Sequence, residues 1–136
     1  MARILVAEDE DDVRAFVARA LTLKGHHVTE VSDGGLAAEA LADNGGEYDL
    51  LLSDIRMPVM DGIALALDTA VQYPGLKILL MTGFADQQER AHGLEALIHD
   101  VIPKPFSLDT LIAKVDEALS GQPAEIVPLA VSGLNG

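Results

Sequence analysis

Cysteine is missing from the 136 residues. Without it the chain has no disulfide, no thiolate metal ligand and no thiol nucleophile, and the redox state of its compartment leaves no mark. Basic residues are scarce: nine Lys and Arg stand against 22 Asp and Glu, a formal charge of −13. That balance repels phosphate backbones and anionic lipid, and so argues against nucleic acid or a membrane surface as a partner. No apolar run approaches the ~20 residues of a membrane span. The start, MARILVAEDE, turns acidic too soon for a secretory signal. A cytoplasmic location is the expectation, and the length suits one domain with an apolar core.

What is present is a recurring pattern. Short apolar runs rich in branched residues stand at 3–7 (RILVA), 27–31 (HVTEV), 48–53 (YDLLLS), 76–81 (LKILLM) and 100–103 (DVIP), and they read as five strands. Between them lie stretches with helical spacing: Val13, Phe16, Val17, Ala20 and Leu21; Ile63, Leu67, Ala70 and Val71; Leu108, Leu111, Ile112, Val115 and Leu119. Strand and helix alternate, which predicts an α/β domain whose parallel sheet is covered by helices on both faces. The segment 86–99, DQQERAHGLEALIH, is expected to be irregular or mobile, because Gly93 interrupts it and its first half is polar. Ser120, Gly121 and Pro123 should stop the last helix. The domain is therefore expected over 1–120, with a flexible tail over 121–136.

The run VAEDEDDV, residues 6–13, places five consecutive acids, Glu8 to Asp12, directly after the first strand. Two like charges ~4 Å apart repel by roughly 1 kcal/mol in water and about 4 kcal/mol near a protein surface. They must be neutralised or turned apart. In an open α/β sheet the functional crevice lies beyond the carboxyl ends of the strands, and the expected strand ends here are Glu8 with Asp9, Asp54, Thr82 with Gly83, and Lys104 before Pro105. Hard carboxylate oxygens at Glu8, Asp9 and Asp54 suit Mg²⁺, with Mn²⁺ admissible in the same ligand set. Asp54 is the candidate nucleophile, since a carboxylate attacks phosphorus to give an acyl phosphate. Lys104 would compensate charge on the transferred group and Thr82 would donate a hydrogen bond to it. Glu10, Asp11 and Asp12 are read as the start of a helix, where negative charge is favourable.

These residues resemble the receiver domain of two-component response regulators: ILVAEDED for the acidic pair, DLLLSDIRMPVMDG for the phosphoacceptor loop, LLMTG for the hydroxyl and IPKPF for the lysine. The resemblance covers roughly residues 2–120 and implies a flavodoxin-like (βα)5 fold with strand order 2-1-3-4-5. It implies that Asp54 accepts a phosphoryl group from a histidine kinase or phosphotransferase. It also implies that Glu8, Asp9 and the main-chain carbonyl of Arg56 join Asp54 around the metal, and that Lys104–Pro105 is a cis peptide. Pro58 and Asp61–Gly62 fit the family's tight turn into the third helix.

One departure bears on signalling. Many receivers carry an aromatic switch residue three positions before the lysine, and Val101 stands there. Phe84 is the nearest aromatic that could move in its place. Arg56 and Phe84, two positions beyond Asp54 and Thr82, correspond to the places where receivers tune the access of hydrolytic water, and their bulk implies a long-lived phosphoryl state. Within the family, TGFA and the valine before IPKPF resemble the CpdR-type receivers that prime a regulated protease. The implied partners are a kinase or phosphotransferase and an output protein, with a protease or its adaptor as one class, the chain itself being a monomer or a weak phosphorylation-dependent dimer. A receiver belonging to a hybrid kinase or longer regulator is the alternative, and an aspartyl-phosphate phosphatase falls behind because Arg56 occupies the place of that enzyme's second Asp. No turnover enzyme is expected. His26, His27, His92 and His99 read as solvated surface residues, and Met57, Met60 and Met81 as packing.

Overall fold

In the computed structural model, residues 1–121 are described, and the tail expected over 121–136 lies outside them from residue 122 onward. Ten elements alternate along the chain: β1 (Arg3–Ala7), α1 (Asp11–Leu23), β2 (His27–Val31), α2 (Gly34–Asp43), β3 (Leu50–Asp54), α3 (Gly62–Gln72), β4 (Lys77–Thr82), α4 (Ala85–His92), β5 (Asp100–Pro103) and α5 (Leu108–Ser120). The strands form one sheet in the order β2-β1-β3-β4-β5, and every pairing is parallel. This is the flavodoxin-like (βα)5 arrangement expected from the resemblance.

Period-two alternation divides the core. Leu51, Ile78 and Leu80 face one side of the sheet with Ala37, Leu41, Ala66 and Ala91 from α2, α3 and α4. Leu50, Leu52 and Leu79 face the other, with Val17, Leu21, Leu111 and Val115 from α1 and α5. Because both faces are covered, β3 reads as a continuous apolar run rather than as an alternation. It begins at Leu50, two residues later than the sequence predicts, and takes in Asp54.

Helix starts follow from capping. Asp33 accepts from the Leu36 amide, Asp61 from the Ala64 amide and Ser107 from the Thr110 amide, each satisfying an orphan donor of a first turn. Asp11 and Asp12 occupy the first turn of α1, as the charge argument predicts. Of the stretch 86–99 expected to be irregular or mobile, 86–92 instead belongs to α4, while 93–99 forms turns and irregular chain. Glu89, Arg90, His92 and Glu95 are exposed, while Ala91, Leu94 and Ile98 at helix-like spacing are buried in the core; that apolar contact supplies what the local sequence lacks.

Close approach governs the loop between β3 and α3. A Cβ on Gly62 would stand 2.1 Å from the Asp54 carbonyl oxygen, and one on Gly34 would stand 1.8 Å from the Met60 carbonyl oxygen. Both positions need glycine because backbone cannot yield as a side chain does. We predict that Gly62→Ala costs about 1–3 kcal/mol or more through overpacking, whereas Gly75→Ala, where a Cβ meets nothing within 4 Å, stays within about 0.5 kcal/mol. Urea unfolding of both variants checks the contrast, and equal midpoints would contradict it.

Candidate functional site

Parallel pairing brings the strand ends to one edge. Ala7 lies opposite Ser53, Asp54 opposite Met81, and Thr82 opposite Pro103. One step beyond these pairs, Glu8 stands level with Asp54, and Lys104 follows Pro103, the partner of Thr82. The Lys104 amide donates to the Thr82 carbonyl at 2.7 Å, so β4 holds the lysine backbone in place. The Lys104–Pro105 peptide is cis.

The carboxylates converge as the sequence predicts. One oxygen from each of Glu8, Asp9 and Asp54 falls within 4.8 Å of the others. Glu8 is fully buried and Asp54 is 6% exposed, whereas Asp9 opens to solvent. Lys104 Nζ lies 2.8 Å from Glu8 Oε1, and 3.4 Å from both Asp54 Oδ2 and Glu10 Oε1. The Glu10 amide donates to Glu8 Oε2 at 3.0 Å and the Ile55 amide to Asp54 Oδ1 at 2.9 Å. Glu8 Oε1 has the Lys104 ammonium at 2.8 Å and accepts no other hydrogen bond among the described residues. Buried oxygens with lone pairs to spare and an excess of negative charge fit a hard divalent cation.

Electrostatics agree. Burial, and then repulsion from Glu8, push the Asp54 carboxyl up to about 7 despite the opposing pull of Lys104. For Lys104, burial works against the charged form, but Glu8 and Asp54 more than offset it and hold the ammonium above the usual lysine value.

Around this centre the remaining residues take different places. Thr82 is buried at the end of β4. Its hydroxyl oxygen accepts from the Phe84 amide at 3.1 Å and lies 3.4 Å from the Phe84 carbonyl oxygen. Phe84 is 45% exposed, a rim residue rather than core, and the Arg56 guanidinium carbon stands 3.9 Å above its ring centroid. Together Asp9, Glu10, Asp54, Arg56, Phe84 and Lys104 surround a cavity of about 350 Å³. Val101 is half-buried and packs against the α2–α3–α4 side of the core, away from this cavity.

Three features escape the sequence reading. Arg14 on α1 donates to the Glu8 carbonyl at 2.8 Å, and the clue in sequence is that it is the one basic residue between Arg3 and Arg19. Glu10, read only as a helix leader, also reaches Lys104. Two of the histidines are not solvated surface residues: His99 is half-buried, 2.8 Å from Glu117 on α5, and His26 Nδ1 accepts from the Ala2 amide at 3.0 Å. The methionines do pack, Met57 and Met81 buried and Met60 lying against the core.

The raised Asp54 value has a thermodynamic consequence. The folded chain holds that proton more tightly than the unfolded chain, so this group's contribution to stability is full below pH ~4 and is lost as pH rises through about 7. In chelator, Asp54→Asn should therefore gain on wild type between pH 4 and pH 8, by on the order of 1 kcal/mol or more, and Mg²⁺ should narrow the gap. Thermal unfolding across that range checks it; a gap that does not change with pH would contradict the assignment.

Comparison with known proteins places this geometry. Residues 4–116 match the model of the response regulator receiver domain. The response regulator receiver protein CpdR of Brucella abortus is 40% identical over 119 residues, 88% of this chain and 98% of that protein. The sensor kinase CckA of the same organism is 36% identical over 89% of this chain, which spans only 13% of the kinase. The transcriptional regulatory protein TcrA of Mycobacterium tuberculosis is 38% identical over 83% of this chain and 44% of its own length. Among solved structures, the response regulator TrrA of Thermotoga maritima in complex with Mg(2+)-BeF superposes with a TM-score of 0.74 at 30% identity, covering 88% of this chain and all of that one. None of the helices among the described residues is long and apolar enough to cross a membrane. The chain belongs to the response regulator receiver domain family.

Proposed function

We propose that this receiver is a phosphoacceptor that signals through protein contacts. The observation that carries the reading is the placement of Asp54: buried at a strand end, within 4.8 Å of two further acids and 3.4 Å from the Lys104 ammonium. An Asp54 carboxylate oxygen attacks the phosphorus of a phosphohistidine; the P–O bond forms as the P–N bond breaks, and the imidazole leaves and takes up a proton. Mg²⁺ held by Glu8, Asp9, Asp54 and the Arg56 main-chain carbonyl would neutralise charge on the transferred group. Lys104 pairs with that charge and Thr82 donates to a phosphoryl oxygen.

The donor is a histidine kinase or phosphotransferase. An apolar groove of about 400 Å³ lined by Val13, Phe16, Pro105 and Phe106 shares Glu10 and Lys104 with the phosphoryl cavity, which supports a protein donor docking beside Asp54. The output is a partner surface, and likeness to CpdR supports a regulated protease or its adaptor as the class. Multiple turnover is not expected, because Arg56, where a phosphatase of this chemistry carries its second Asp, cannot protonate a leaving group. A second reading, a receiver within a longer kinase or regulator, is favoured by the CckA and TcrA matches.

Incubation with a phosphorylated histidine kinase should give one Mg²⁺-dependent label per chain, absent from Asp54→Asn and from chelated samples, with no sustained hydrolysis of a phosphomonoester. Labelling in chelator would overturn the reading. Arg56 stacked on Phe84 narrows the path for water to Asp54. Arg56→Ala and Phe84→Ala should therefore each lose phosphate severalfold faster than wild type, and unchanged rates would remove the shield from the account.

A further inference from the structure

Arg14 sits in the second turn of α1, yet its side chain turns back onto the acidic loop. One guanidinium nitrogen donates to the Glu8 carbonyl at 2.8 Å, another to the Asp11 carboxylate at 2.7 Å. Nε lies 3.7 Å from Glu30 on β2, and the side chain is 19% exposed. Glu8 is thereby held at every polar atom: its amide donates to the Val31 carbonyl at 3.1 Å, its carbonyl accepts from Arg14, Oε2 accepts from the Glu10 amide, and Oε1 meets Lys104. Asp11 is drawn outward into its pair with Arg14 and away from the other acids. A planar guanidinium can serve a carbonyl and a carboxylate at once; an ammonium on a flexible stem cannot hold that geometry.

We propose that Arg14 is a positioning residue of the acidic pocket, locking the turn between β1 and α1 so that Glu8 and Asp9 converge with Asp54, and that it thereby sets the pocket's affinity for a divalent cation. This rests on the metal-dependent phosphoacceptor reading. Charge alone predicts the reverse: a guanidinium beside a cation site repels the cation, and deleting it should tighten binding. The two effects differ in sign.

Calorimetric Mg²⁺ titration of the full chain separates them. R14M should bind Mg²⁺ about tenfold more weakly, the usual scale for groups that orient metal ligands. R14K, which keeps the charge but not the fork, should fall between R14M and wild type. R19M removes an exposed charge from the same helix and should bind at least as tightly as wild type. Unchanged or tighter binding by R14M overturns the proposal, as does R14K binding as tightly as wild type. The Glu10 amide, followed by hydrogen exchange in metal-free protein, should exchange faster in R14M, and no change there means Arg14 does not hold the loop. Wild type that binds no Mg²⁺ sinks the metal reading instead, and the Glu10 amide then decides the role of Arg14 by itself.

Discussion

The Lys104 ammonium stands 2.8 Å from Glu8 and 3.4 Å from Asp54, and those two carboxylates are buried at the ends of neighbouring central strands. An unpaired buried charge costs several kcal/mol, so neither acid could sit there ionised without a cation. Lysine supplies one charge for two acids, with Asp9 at the opening and Glu10 reaching the same ammonium. The cost is visible in Asp54, whose carboxyl is pushed up to about 7 by burial first and by repulsion from Glu8 second. A buried pocket with more negative than positive charge suits a hard divalent cation.

That constraint explains features far from the pocket. Lys104 must cross from β5 over the end of β4 to reach β1 and β3, and its amide hydrogen bond to the Thr82 carbonyl sets the starting point. Strand order puts β3 between β1 and β4, so the acids and the lysine meet only because the sheet is parallel and its central strands are covered on both faces. Gly62 lets the chain after Asp54 fold back against its own strand, where a Cβ would collide with the Asp54 carbonyl oxygen. The apolar core thus acts on the site by fixing where each strand stops.

Legibility in the sequence follows the same division. Glu8, Asp9, Asp54, Thr82 and Lys104 each end an apolar run, so a rule about strand ends finds them without coordinates. Arg14 escapes because its role depends on a side chain turning back across the start of α1, which no spacing announces. His99 and Glu117 are joined across 18 positions, a pairing that exists only once β5 and α5 have packed. The helix at Ala85–His92 is hard to read for a related reason: its polar composition predicts little, and burial of Ala91, with Leu94 and Ile98 just beyond its end, anchors it. Arg56 and Phe84 were legible as flanks of the pocket, but their stacking on each other was not.

In the phosphoacceptor reading, that stack bears on how a signal would leave the site. A hydroxyl has one proton and two lone pairs. At Thr82 a lone pair takes the Phe84 amide at 3.1 Å, while the nearest acceptor for its proton is the Phe84 carbonyl at a long 3.4 Å. Donating that proton to a phosphoryl oxygen would exchange a weak bond for a charge-assisted one. If the hydroxyl oxygen itself swings toward the phosphoryl group, it keeps the Phe84 amide only when the backbone entering α4 moves with it. Phe84 would then shift its ring beneath Arg56, so the stack is placed to couple the loop after Asp54 to the start of α4. With Val101 half-buried against the core and no aromatic at that position, Phe84 is the aromatic placed to carry a switch in this reading.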